Sequence, residues 1–292
     1  MCYRSGGFEV RIFDPHIHMT SRTTDDYEAM HRAGVRAVVE PAFWLGQPRT
    51  GPSSFIDYFD SLIGWERYRA SQFGIAHNCT IALNPKEAND SRCREVLDQI
   101  PRYLSKSGVV AVGEIGYDSM TPEETAVFET QLEMAAERGL PALVHTPHRD
   151  KLGGTLASIE VADRVGIDPG LVLLDHLNEV TIEPARDSGC WMGFSIYPDT
   201  KMDEARMVVL MQRFGLDRII VNSAADWGRS DPLKTAKTAQ AMLTAGFTDD
   251  DVDRVLWRNP VEFYSQSGQL RLLSDEQEAA FAGNTINRGE KP

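Results

Sequence analysis

Thiol chemistry is nearly absent from this sequence of 292 residues. Its four cysteines, Cys2, Cys79, Cys93 and Cys190, show no CxxC spacing, and three lie in or beside apolar runs, which argues against a disulfide framework and a thiolate zinc site. A basic surplus is missing too. The formal net charge of −13 opposes salt-driven adhesion to a polyphosphate backbone, so any nucleic-acid contact must be local. No apolar run approaches the ~18 to 20 residues of a membrane span, and the N-terminal MCYRSGGFEVR has no signal-peptide core. A cytoplasmic protein with no membrane partner is expected. Neither GxGxxG after a first strand nor GxxxxGK[ST] occurs, which removes support for dinucleotide and P-loop sites.

What is present is a repeating cadence. Eight short apolar runs recur at 10–18, 35–43, 73–83, 109–116, 140–146, 171–177, 190–196 and 218–224, each followed by polar turn residues and a stretch with helical apolar spacing. Near-continuous apolar strands suit a parallel sheet covered by helices, and eight units favour closure into a single (β/α)8 TIM-type barrel. Thr121, Pro122 and two glutamates open a helix that Gly139 ends; 25–34 and 203–215 also end in glycine. The barrel is expected to span 1–273, with 274–292 a polar, loosely ordered tail. Residues 41–64, rich in proline and glycine, read as a loop overhanging the barrel mouth and a candidate specificity element. Residues 247–268 read as a short helix broken at Asn259 and Pro260.

Of seven histidines, four end predicted strands: His16 and His18 on the first, His145 on the fifth and His176 on the sixth. Glu114 ends the fourth run and Asp226 follows the eighth. Strand ends of a (β/α)8 barrel converge at its C-terminal mouth, and residues two apart on a strand share a face, so His16 and His18 can grip one cation. A lone HxH, a lone buried histidine or a lone acid is more often structural. Six such residues on five strands are not, because burying them together without a cation leaves costly charge. Imidazole and carboxylate without thiolate suit two divalent ions drawn from Zn, Mn, Fe, Co or Ni, with Zn or Mn leading.

HIH after an aspartate, the phrase GEIGYD, the strand-end histidines of LVHT and LLDH, and a late aspartate together resemble the TatD-type branch of the amidohydrolase superfamily over nearly the whole chain. The resemblance implies that His16, His18 and Asp226 hold one metal, His145 and His176 the other, and that Glu114 bridges them. It implies hydrolysis by metal-activated hydroxide, with Asp226 and Glu114 catalytic and Asp226 accepting the proton. The late aspartate sits in NSAADWGRSDP rather than an ETDxP-like phrase, which leaves Asp231 as a competitor. That phrase, the EPAFWLGQPRT loop and HTPHRDK resemble TatD-like hydrolases encoded with Ebo secondary-metabolite genes.

Phosphate esters lead as substrates, as in a TatD-like phosphodiesterase or deoxyribonuclease. A small-molecule amide, lactone or carboxylic ester is the alternative, and a non-catalytic scaffold or ligand-binding protein the third reading. Glu40, Arg49, His148, Arg149 and Trp227 are candidate substrate-binding residues, and Arg22, Lys151 and Arg229 could add positive charge at the mouth. Asp14 is expected to buttress the HxH pair, Phe43 and Trp44 to line the cleft, and His31 and His77 to be structural. Oligomeric state is not encoded legibly.

Overall fold

The computed structural model describes residues 4–5, 8–46 and 48–279. After a small antiparallel pair, Arg4–Ser5 with Phe8–Glu9, come the eight strands. They are β1 (Ile12–Asp14), β2 (Val35–Pro41), β3 (Ala76–Ile81), β4 (Val109–Gly116), β5 (Ala142–His145), β6 (Val172–Asp175), β7 (Trp191–Ser195) and β8 (Ile219–Asn222). Each pairs in parallel with its sequence neighbour, so the sheet runs in chain order from β1 to β8. Every residue of these strands is buried, as a sheet with side chains packed on both faces requires.

The barrel closes at its mouth through loop backbone. The Ala224 amide donates to the His16 carbonyl at 2.8 Å, and the His18 amide to the Ala225 carbonyl at 2.9 Å. The outer ring contains α1 (Thr24–Arg32), α2 (Pro52–Ser61), α3 (Arg67–Ser71), α4 (Ser91–Arg94), α5 (Pro122–Arg138), α6 (Lys151–Val165), α7 (Ile182–Asp187), α8 (Glu204–Phe214), α9 (Lys234–Thr244) and α10 (Asp249–Asp253). In α5 the Thr121 side chain accepts from the Glu124 amide, and Gly139 ends the helix at φ 61°, a left-handed conformation that costs glycine little. None of the described helices is long and apolar enough to cross a membrane.

Two expectations about local structure need correction. Most of 41–64 is not loop, because α2 occupies Pro52–Ser61 and a π-helical turn at 62–66 joins it to α3; Pro52 starts the helix where its missing N–H costs nothing. Only residues 42–51 separate β2 from α2. Nor does the chain break at Pro260. A π-helical turn, Arg254–Arg258, runs directly into α11 (Asn259–Ser265), whose first turn contains the proline. The widened turn accommodates it.

That continuity matters for the core. Helix α11 brings Phe263 and Tyr264 into the barrel interior against Phe13, Ala37, Val110, Leu143, Leu173 and Ile220. The buried Tyr264 hydroxyl donates to the Pro15 carbonyl at 2.9 Å, so the plug reaches to just beneath the mouth. A final short helix, α12 (Asp275–Ala279), lies within the expected tail; the tail from residue 280 onward lies outside the described residues.

Candidate metal centre

His16 and His18 follow β1, and their rings meet Nε2 to Nε2 at 3.2 Å. His16 Nε2 lies 3.7 Å from Glu114 Oε1 at the end of β4. The same Glu114 oxygen lies 3.0 Å from His145 Nδ1 and 3.1 Å from His176 Nε2. One carboxylate oxygen is thus common to two triads of potential ligands, His16/His18/Glu114 and Glu114/His145/His176. All five residues are buried.

Asp175, which the sequence reading did not single out, orders this group. Its Oδ2 accepts from His16 Nδ1 at 2.6 Å, fixing the tautomer that turns His16 Nε2 inward. Its Oδ1 accepts from the His176 amide and from Asn222 Nδ2. A second relay holds His176: its Nδ1 donates to Ser195 Oγ at 2.6 Å, and Ser195 donates to Asn222 Oδ1 at 2.7 Å. Two features make room for Asp175. His176 adopts φ 63°, which breaks strand alternation so that consecutive residues serve one site. At Gly193 any Cβ would fall 2.4 Å from Asp175 Oδ1, so β7 can pass this carboxylate only without a side chain.

The electrostatics suit cations. Burial opposes ionisation of Glu114, yet His145 and His16 hold its carboxyl well below the ordinary range. Burial likewise opposes Asp175, and His176 and His16 hold it low. Burial and His16 keep the His18 imidazole neutral, and burial and Lys201 do the same for His176. His16 is the exception: burial lowers it, but Glu114 and Asp175 raise it more. Two deprotonated acids with neutral His18 and His176 imidazoles are protonation states that metal ligation needs. Buried His18 Nδ1 and His145 Nε2 also lack hydrogen-bond partners, which a centre tuned only for internal hydrogen bonding would not leave. The residues fit divalent cations.

The structure does not bring Asp226 into either triad. Beyond β8, Ala224 and Ala225 spend their backbone on closing the barrel, and Asp226 comes only afterwards, where its Oδ1 accepts from the Tyr197 hydroxyl at 2.9 Å and the Gly228 amide at 2.7 Å. Arg22 donates to its carbonyl. Asp231 is no substitute, being paired with Lys237.

Two candidate substrate-binding residues turn out to be internal struts. Glu40 is fully buried, accepting from the Thr20 amide at 2.7 Å and bonded to His77 Nε2 at 2.8 Å, and His77 is structural as expected. Arg49 is buried in an ion pair with Glu87 and donates to the Phe43 carbonyl, which pins the loop after β2. Asp14 buttresses the backbone rather than the rings, accepting from the His16 and Ser223 amides. Phe43 stacks on the His18 ring with centroids 3.7 Å apart, and Trp44 meets Trp227 at 5.8 Å. Trp227 is 55% exposed, so this pair forms a lip rather than core. His148 lies parallel to His176, with ring centroids 6.3 Å apart, and Arg149 is solvent-exposed beyond it.

A profile of the family described as TatD-related DNase matches residues 13–265. The chain belongs to this family. It is 23% identical over 253 residues to an uncharacterized metal-dependent hydrolase of Methanocaldococcus jannaschii, covering 87% of this chain and 99% of that one. Among solved structures, a TatD-like protein from Archaeoglobus fulgidus superposes with a TM-score of 0.72 at 24% identity, over 86% of this chain and 99% of that chain. A phosphotriesterase homology protein from Escherichia coli, complexed with phosphate in its active site, gives 0.62 at 18% identity, over 87% and 98%. These likenesses agree with the barrel described above, and the family match spans both the HxH and the GEIG residues.

Proposed function

We propose that this TatD-family chain is a metal-dependent hydrolase whose mouth holds two divalent cations, one between His16, His18 and Glu114 and one between Glu114, His145 and His176. The observation that carries the reading is the single Glu114 oxygen within reach of both histidine pairs. Zn or Mn leads, since the ligands are imidazole and carboxylate and the three described cysteines stand outside both triads. Such cations, when bound, lower the pKa of water toward ~7 and polarise the oxygen of the bond to be cleaved.

The chain's own residues prepare that site. Asp175 and the Ser195–Asn222 relay set the inward-facing nitrogens of His16 and His176 and remove the rotational freedom that binding would otherwise have to freeze out. Phe43 covers His18 and limits water on that side. Asp226, tied to Tyr197 and Gly228, positions the Trp227 lip and is not a ligand in this reading.

Phosphate esters are the favoured substrates, because two lysines stand along one wall of the cation site. Lys201 Nζ lies 3.2 Å from His176 Nδ1, and Lys151 lies beyond it along one wall. The aromatic lip favours a second substrate class, a small ester or lactone with an apolar portion, over a long nucleic acid, which the net charge of −13 would repel. Loading the protein with Zn or Mn and comparing kcat/KM for bis-p-nitrophenyl phosphate, single-stranded DNA and a lactone series tests this. Highest efficiency on the phosphodiester supports the reading. Activity confined to lactones reassigns the substrate, and none on any ester refutes hydrolase function.

A further inference from the structure

Beside the metal centre lies a cavity of about 250 Å³ between the start of α6 and the loop joining β7 to α8. Lys151, Lys201, Asn178, Thr200 and Asp199 line it, and His176 forms the wall it shares with the metal site. The loop's Arg206 also borders it, but that guanidinium is neutralised by a two-bond pairing with Glu179. The lysines differ. Neither forms an ion pair with a carboxylate among the described residues.

Lys151 Nζ donates to the Thr146 carbonyl at 2.9 Å and the Thr146 hydroxyl at 3.0 Å, both uncharged acceptors. Lys201 Nζ sits 3.2 Å from His176 Nδ1. That nitrogen already gives its hydrogen to Ser195, whose own hydrogen goes to Asn222, so it offers Lys201 no acceptor. Two ammonium groups therefore line one pocket with no carboxylate in direct contact, the nearby acids Asp175, Glu114 and Asp226 acting on Lys201 only at longer range. Burying like charges without a counter-ion is costly, and burial together with Lys201 pushes the Lys151 ammonium down to about 7. Asp199 is the only acid on the lining, and it stands at the exposed rim.

We propose that this cavity is an anion subsite that takes a phosphate group carried by the substrate away from the bond under attack. The proposal rests on the proposed phosphate-ester reading for its substrate, whereas the Ser195–Asn222 relay fixes the hydrogen on His176 Nδ1 with or without a cation. Phosphate fits better than carboxylate because two cationic groups stand on different elements, Lys151 on α6 and Lys201 on the β7–α8 loop, and a dianion answers both. The volume is several times the roughly 30 Å³ that one water occupies, enough for an oxyanion with its linking atoms. The enzyme would then prefer substrates bearing a terminal phosphate, held so that the adjoining ester reaches the metal centre.

The test is direct binding of inorganic phosphate to chelator-treated, metal-free protein, by calorimetry or phosphorus NMR, with acetate as the carboxylate probe. Wild type is compared with Lys151→Met, Lys201→Met and the distant surface variant Lys106→Met. Phosphate should bind the wild type, weaken on the order of tenfold or more in each cavity variant and stay unchanged in Lys106→Met, with acetate at least about tenfold weaker than phosphate. Absence of binding at about 10 mM, equal binding in the cavity variants, or acetate as tight as phosphate overturns the proposal. Lys201 packs on His176, so Lys151→Met, which keeps the aliphatic stem, decides the matter if Lys201→Met does not fold. Because the readout uses no metal and no turnover, a failed hydrolase assignment and a failed subsite give different results.

Discussion

Asp175→Asn separates the ligand set from the scaffold behind it. The substitution keeps the shape beside Gly193 but removes the charge that receives the His16 Nδ1 hydrogen at 2.6 Å and also takes the His176 amide. A charge-assisted hydrogen bond contributes about 1.5–3 kcal/mol, and partners behind metal-bound histidines change affinity by about 10–100-fold, which is roughly 1.4–2.8 kcal/mol. The two ranges agree, so the variant should bind Zn about 10–100-fold more weakly in competition with a chromophoric chelator. A dissociation constant within about twofold of wild type would refute the claim that Asp175 sets the His16 tautomer. Gly193→Ala attacks the same bond from the other strand and should weaken Zn binding similarly, because its methyl must displace Asp175.

Further expectations follow from the same geometry. Glu114→Gln should lower cation content from about two per chain to one or fewer and cut turnover by at least about a hundredfold, read by elemental analysis and steady-state kinetics. Asp226→Asn should keep its cations and stay within about threefold of wild-type turnover; a loss beyond about a hundredfold would restore Asp226 to the centre. Lys151 has a lowered folded-state pKa, so the unfolded chain binds more protons between about pH 7 and 10.5, and stability of the metal-free protein should rise with pH across that window. Urea midpoints at pH 7 and 10 check the sign, and Lys151→Met should flatten the rise. Phe263→Ala empties part of the interior plug and should cost about 3–5 kcal/mol in chemical denaturation.

The barrel was legible because fully buried parallel strands leave continuous apolar runs, and the α5 boundaries were legible because Thr121 and Gly139 act through local chemistry. The helix inside 41–64 was hidden because prolines and glycines look alike at a helix start and in a loop. Pro260 misled for a different reason, since a π-helical turn lets a helix carry a proline that periodicity treats as a stop. At the centre, His16, His18, Glu114, His145 and His176, which the structure brings together, carried a sequence signal in their places at the ends of predicted strands. Asp175 did not stand out, because strand alternation points neighbours to opposite faces and only the left-handed backbone of His176 turns both inward. Its signal was adjacency to a strand-end histidine together with a glycine in the next strand. Asp226 is the reverse case, a suitable residue type after the last strand whose Oδ1 the structure turns to Tyr197 and the Gly228 amide rather than into either triad.

The most direct measurement is anomalous scattering from crystals of the Zn- or Mn-loaded protein. Two peaks are expected, one within about 2.0–2.2 Å of donor nitrogens of His16 and His18 and one at the same distance from those of His145 and His176, with a Glu114 oxygen reaching both. No peak among these five side chains after loading, or a cation held instead by Asp226, would contradict it.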